Sequence, residues 1–78
     1  MESILERVIR VLVEEIGIAR EEVKPDSHFS RDLNMDSLDQ VELMLALETE
    51  FGQSIPEGEA QGLETVGQIC SLIEEKLG

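Results

Sequence analysis

Apolar residues recur at helical spacing in three stretches of the chain. In the first, Ile4, Leu5, Val8, Ile9, Leu12 and Ile16 return every three or four positions, the repeat that lines side chains along one face of a helix. Ser3 and Glu6 form an S-x-x-E pair at its start, in which each side chain can accept one of the unpaired N–H groups of the opening turn. Gly17 stands where a helix C-terminal stop belongs. The spacing predicts a first helix over about residues 4 to 16.

Residues 18 to 35 carry no sustained period. Pro25 and the polar run Asp26-Ser27-His28 mark a long loop. A loop of this length in a small domain is functional or is tied down by its own apolar residues. Ile18, Val23, Phe29 and Leu33 are the candidate anchors. A second helix begins at Ser37 with Asp36 as N-cap and runs to Phe51, before Gly52. Ile55-Pro56 restarts the chain into a short turn over 57 to 61, closed by Gly62. Gly58 weakens that turn by about 1 kcal/mol relative to Ala, so the third helix is expected to be short and mobile. Thr65 and Gln68 form another capping box, opening a fourth helix through Val66, Ile69, Cys70, Ile73 and Leu77. No segment alternates as a strand does. The prediction is an all-α fold, a small four-helix bundle with a long loop after helix 1 and a short third helix, forming a single domain over residues 1–78.

Composition narrows the picture. At 78 residues the chain has no room for a deep catalytic cavity. With two Phe and neither Tyr nor Trp, the core must be aliphatic. The single Cys excludes an internal disulfide framework and a zinc cluster made from this chain alone; Cys70 is expected on the buried side of helix 4. No charged-then-apolar leader opens the chain, and no apolar run approaches the roughly 18 residues of a membrane span. A cytoplasmic monomer is expected. Net charge is −12, and residues 32–75 contain eleven Asp and Glu but no Lys or Arg. Such a field repels nucleic acid and anionic membranes and attracts basic partners; the same acidity also keeps a small protein in solution.

On a helical wheel, Leu43, Met44, Leu47 and Phe51 of helix 2 share one arc of about 100° and should face the core. Asp39, Glu42, Ala46, Thr49, Glu50 and Gln53 oppose them. Leu38, Val41 and Leu45 make a second apolar arc with Glu48 at its edge. This second stripe is either additional core or a docking patch rimmed by Asp39, Glu42 and Glu48.

The segment "RDLNMDSLDQVEL", residues 31–43, concentrates the candidate chemistry. Asp32, Asn34 and Asp36 match the first ligand positions of a calcium loop, but Ser37 occupies the required glycine and Leu43 the bidentate glutamate. No metal site is expected. Ser37 as an autonomous nucleophile needs an activating base and an oriented third group. The only His, His28, lies in the loop with nothing to complete such an arrangement. Ser37 also reads as a hydroxyl handle at a helix N-terminus, where free N–H groups and the helix dipole favour a phosphate, or simply as an N-terminal helix residue.

"DLNMDSLDQVELMLALETEF", followed by Ile55-Pro56, resembles the acyl carrier protein family over essentially the whole chain, of the free-standing type of bacterial and organellar fatty acid synthesis. The D-S-L core carries this resemblance together with D-x-V-E-L and E-x-E-F-x-x-x-I-P. The resemblance implies a non-enzyme. Ser37 would carry 4′-phosphopantetheine, transferred from coenzyme A by a phosphopantetheinyl transferase, and growing fatty acyl chains would ride on that arm as thioesters. It further implies a face read by basic patches of fatty acid synthesis enzymes, here Asp36, Leu38, Asp39, Val41, Glu42, Leu45 and Glu48. An acyl cleft between helices 2 and 3 is implied too, with Leu47, Phe51, Ile55, Ala60 and Ile69 as its inferred lining.

The usual Gly-Ala before Asp-Ser-Leu is Asn34-Met35 here. If the position needs a left-handed backbone, Asn is the best substitute for Gly, while Met35 is expected beside the prosthetic group. Gly58 stands where an acid is common. A carrier dedicated to a polyketide, peptide or other specialised acyl group is the alternative within the class. A non-covalent helical adaptor without a prosthetic group is the alternative outside it.

Overall fold

The computed structural model describes residues 2–78, with the backbone alone at Glu57. Among them are four α-helices: α1 (Ile4–Val11), α2 (Ser37–Phe51), α3 (Glu57–Ala60) and α4 (Val66–Leu77). The first helix runs on through a π-helical segment, Leu12–Ile16. There the Leu12 carbonyl accepts the N–H of Gly17 and, at 3.1 Å, that of Ile18, closing a wider loop than an α-turn does. The expected helix over 4–16 is thus continuous but changes pitch, a feature the apolar spacing does not encode. Gly17 and Gly52 end their helices with φ of 85° and 64°, a region costly for residues bearing a Cβ.

Each expected cap is in place, with one difference. Ser3 Oγ accepts the Glu6 N–H at 3.1 Å, but the return contact comes from the hydroxyl, which lies 3.4 Å from Glu6 Oε1. Asp36/Asp39 and Thr65/Gln68 form full reciprocal boxes at the starts of α2 and α4.

α1 packs against both α2 and α4. Val8, Leu12, Leu43, Leu47, Val66, Ile69 and Ile73 are fully buried between them. The radius of gyration, 11.2 Å, equals within a fraction of an ångström the roughly 11.5 Å of a folded chain this long, so the long connection lies on the bundle. Val23, Phe29 and Leu33 are its buried anchors and Ile18 is half-buried. A short 3₁₀ turn at Arg20–Glu22, absent from the sequence pattern, shapes its start. Buried Ser27 donates to the Glu22 carbonyl at 3.0 Å and accepts the Lys24 N–H at 2.9 Å.

An antiparallel bridge joins His28 to Thr65, with Phe29 N–H donating to the Glu64 carbonyl at 2.8 Å. The connection is thereby fixed to the start of α4. Gly67 completes that seam: its N–H donates to the Pro25 carbonyl at 2.7 Å, and a Cβ there would stand 3.0 Å from the same oxygen.

Glu50 departs from the open polar arc of the wheel. Arg7 Nε reaches its carboxylate at 2.9 Å and Arg10 Nη2 at 3.0 Å, while Arg7 Nη2 donates to its carbonyl at 2.8 Å. The two guanidiniums, Arg7 foremost, hold the Glu50 carboxyl below the usual carboxylate range. The Arg7 guanidinium also lies 4.3 Å from the centre of the Phe51 ring. This clamp fastens the end of α2 to α1. Among the described residues, no helix is long and apolar enough to cross a membrane.

Candidate functional site

The head of α2 is built by the end of the long connection. His28 opens a tight turn in which its carbonyl accepts the N–H groups of Asp32 and Leu33, and Asp32 Oδ2 accepts the His28 N–H at 2.7 Å. The Met35 N–H returns to the Phe29 carbonyl at 2.9 Å. Between them Asn34 takes φ of 56°, the one non-glycine residue with positive φ among those described. Asparagine tolerates that conformation better than most residues, which explains its presence where the resemblance leads one to expect glycine. Met35 is buried in the core, 4% exposed. Its side chain anchors the loop end and does not lie open beside Ser37, because the left-handed step at Asn34 turns the following residue inward.

Asp36 then caps α2. Its Oδ1 accepts the Asp39 N–H at 2.8 Å, and Asp39 Oδ2 accepts the Asp36 N–H at 3.2 Å. Asp32, Asn34 and Asp36 therefore hold a turn, a backbone kink and a helix start. Ser37 is the first residue of the helix and is exposed. Among the described residues, neither Ser37 N–H nor Leu38 N–H meets a backbone or side-chain acceptor. An exposed hydroxyl thus stands beside two free donors at the positive end of a 15-residue helix.

A groove of about 520 Å³ starts at Ser37 and runs between α2 and the α3 segment. On the α2 side it follows Ser37, Val41, Met44 and Glu48, a stripe at helical spacing, with Gln40 and Leu45 beside it. The opposite wall is Ile55, Ala60, Gln61 and Leu63. Of the five residues inferred to line an acyl cleft, Ile55 and Ala60 border this groove. Leu47, Phe51 and Ile69 are buried in the hydrophobic core and do not line it. Sequence reading missed Gln40, Met44, Gln61 and Leu63, although the i, i+4, i+7 stripe from Ser37 marks the α2 wall. A second concavity, of about 620 Å³, lies between α1 and α2 among Arg10, Glu14, Glu15, Glu42 and Glu50. Its charged walls would lose hydration around an apolar guest, so the α2–α3 groove is the better receptor for one.

Leu38, Val41 and Leu45 are 64%, 56% and 59% exposed. The second apolar stripe of the wheel is therefore surface and not extra core. Glu42 beside it is exposed and takes part in no ion pair among the described residues. The other acids of the expected partner face are engaged: Asp36 and Asp39 in the cap, Glu48 in a bond from the Ile55 N–H.

His28 has a structural assignment. Nδ1 accepts the N–H groups of Ser30 and Arg31, each at 3.2 Å, and Nε2 lies 3.0 Å from Glu64 Oε2. Two donors at Nδ1 place the ring proton on Nε2, pointing at Glu64. Neither ring nitrogen is free to take a proton from Ser37. Cys70 sits half-buried on α4, where burial foremost and the Glu74 carboxylate push its thiol above the ordinary value.

Over residues 6–73 the chain matches the family described as "phosphopantetheine attachment site", and it belongs to that family. It is a carrier domain and not a catalytic one, its prosthetic group is 4′-phosphopantetheine, and acyl cargo and partner enzymes are what such a domain serves. The head of α2 fits that group: a reachable hydroxyl, two unpaired N–H donors for a phosphate, and an apolar-walled groove leading away from the same residue.

Proposed function

We propose that this chain is an acyl carrier protein of fatty acid synthesis that bears its 4′-phosphopantetheine on Ser37. The observation that carries the reading is the placement of Ser37. It is exposed, it stands at the start of the longest helix, and it begins both the α2–α3 groove and the apolar ridge of Leu38, Val41 and Leu45. When attached, the group supplies a terminal thiol that holds an acyl chain as a thioester.

Ser37 Oγ attacks the pantetheine-bearing phosphorus of coenzyme A; the new P–O bond forms as the pyrophosphate link breaks, and adenosine 3′,5′-bisphosphate leaves. With both nitrogens of His28 engaged and Asp36 occupied as a cap, the hydroxyl proton goes to a base of the phosphopantetheinyl transferase. The free N–H groups of Ser37 and Leu38 would offset the charge of a phosphodiester on Ser37 among the neighbouring acids. Partner enzymes dock on α2. The ridge supplies apolar area, and Glu42 supplies the unpaired charge that steers a basic patch. Asp36, Asp39 and Glu48 add to the field while keeping their structural bonds. In the groove, the walls from Val41, Met44, Ile55, Ala60 and Leu63 give an alkyl chain an apolar bed.

Thioester profiling of the protein isolated from its native cell tests the assignment. A ladder of saturated and 3-hydroxy fatty acyl masses is expected. Polyketide or aminoacyl masses would replace the fatty acyl assignment with a specialised carrier.

A further inference from the structure

The groove has one firm wall and one loosely held wall. α2 is 15 residues long and anchored through Leu43, Leu47 and Phe51. The facing α3 has four residues, too few for a helix to persist by its own hydrogen bonds. A Cβ added at Gly58 within it would find no heavy atom of another segment within 4 Å, so that face of the helix is open. Ile55 is the buried residue upstream; Ala60 and Leu63 are only partly buried.

Two polar attachments hold the segment. Upstream, Glu48 of α2 accepts the Ile55 N–H. Downstream, Glu59 of α3 pairs with Lys76 in the last turn of α4. The composition makes that second contact singular. Lys76 is the one Lys or Arg in residues 32–78, a stretch holding eleven acids. Its side chain is 19% exposed against 43% for Glu59, so the cation is drawn against the bundle. A partly exposed ion pair is weak in absolute terms. It is large beside the stability of a four-residue helix, which opens without unfolding the bundle.

We propose that the Glu59–Lys76 pair is a clasp that keeps α3 closed over the groove, so that the C-terminal turn of α4 controls how well an acyl chain is sheltered. The inference rests on the groove being the acyl shelter, the reading proposed for it under its function. With the pair intact, α3 holds Ala60 and Leu63 against cargo lying on Val41 and Met44. With it broken, α3 parts from α2 more often, the chain is released, and the thioester meets solvent. High ionic strength loosens the clasp as substitution does.

The test uses the full chain as wild type, Glu59→Gln, Lys76→Gln and the charge-swapped pair Glu59→Lys with Lys76→Glu. Hydrogen exchange of the unacylated proteins is followed at the amides of Glu59, Ala60 and Leu63, whose N–H groups bond to the carbonyls of Pro56 and Ala60. Holo forms carrying acetyl or octanoyl thioesters are treated with hydroxylamine. The expected result is exchange at least threefold faster at those amides in both single variants, unchanged exchange at Leu47, and recovery in the swap. The protection of octanoyl relative to acetyl should fall at least threefold in the singles and return in the swap.

Equal exchange in all four proteins would overturn the clasp. Faster exchange spread equally over α1 and α2 would overturn it too, making the pair a general fold contact. Octanoyl and acetyl cleaved at the same rate on wild type would remove the groove reading alone, and the exchange data would still decide whether the pair closes α3.

Discussion

α2 and α4 start in the same way and lead to opposite ends. Each opens with an extended cap residue whose side chain accepts the N–H three positions on, and each receives a return bond from that third residue. The residues after the cap differ. In α4 the first residue, Val66, is fully buried, and the second, Gly67, lies against the Pro25 carbonyl. In α2 the first residue, Ser37, is exposed, and the second, Leu38, is 64% exposed. One capping device thus docks a helix into the core and presents another to solvent. A capping box therefore does not mark a functional site. What sets α2 apart is that its box is followed by an exposed hydroxyl and an apolar side chain left uncovered.

The contrast breaks most sharply at these paired positions. Val66→Asp places a charge where nothing can solvate or pair it and should destabilise the fold by more than about 4 kcal/mol. Leu38→Asp, one position further from its cap, should stay within about 0.5 kcal/mol. Urea unfolding of both variants measures the difference, and similar losses would mean that the two helix starts are not differently embedded. The caps themselves should behave alike: Asp36→Ala and Thr65→Ala each remove one box and should each cost about 1 kcal/mol. A much larger loss at Asp36 would show that the α2 cap does more than close the helix.

A smaller and pH-dependent effect is expected at Glu50. Its folded pKa is depressed by Arg7 and Arg10, so its contribution is present above the unfolded value of about 4.3 and is lost as pH falls through the lower folded value. Wild type should exceed Glu50→Gln in thermal stability at neutral pH, and the gap should close under acid. A gap that persists unchanged into strong acid would deny the clamp its electrostatic part. Least of all in stability, Glu42→Lys should shift the unfolding free energy by no more than about 0.5 kcal/mol while lowering kcat/KM with partner enzymes. Unchanged kinetics with several partners would move the docking face off α2.

Much of this was legible because it is local. Asp36 and Thr65 announce their helices within four residues, Gly17 and Gly52 stop theirs, and Asn34 signals a left-handed step. The apolar stripe of Leu38, Val41 and Leu45 was legible as a stripe. Whether another element covers it was not, since a wheel gives a direction and not a neighbour. The same limit explains the groove. Leu47 and Phe51 are buried in the core, while Met44, one step around the helix, lines the groove with Ile55, Ala60 and Leu63. The Glu50 clamp bridges residues 43 and 40 positions apart, and the Glu59–Lys76 pair also joins separate helices; no periodicity encodes such partners. The π-helical turn at Leu12–Ile16 and the burial of Met35 likewise depend on what the fold brings alongside.

We propose that Ser37, presented by the exposed start of α2, carries the prosthetic group. The direct test incubates wild type and Ser37→Ala with coenzyme A and a promiscuous phosphopantetheinyl transferase, then measures intact mass. One phosphopantetheinyl group is expected on wild type and none on Ser37→Ala, with circular dichroism and unfolding midpoint unchanged. No addition to wild type, or equal addition to both, would contradict it.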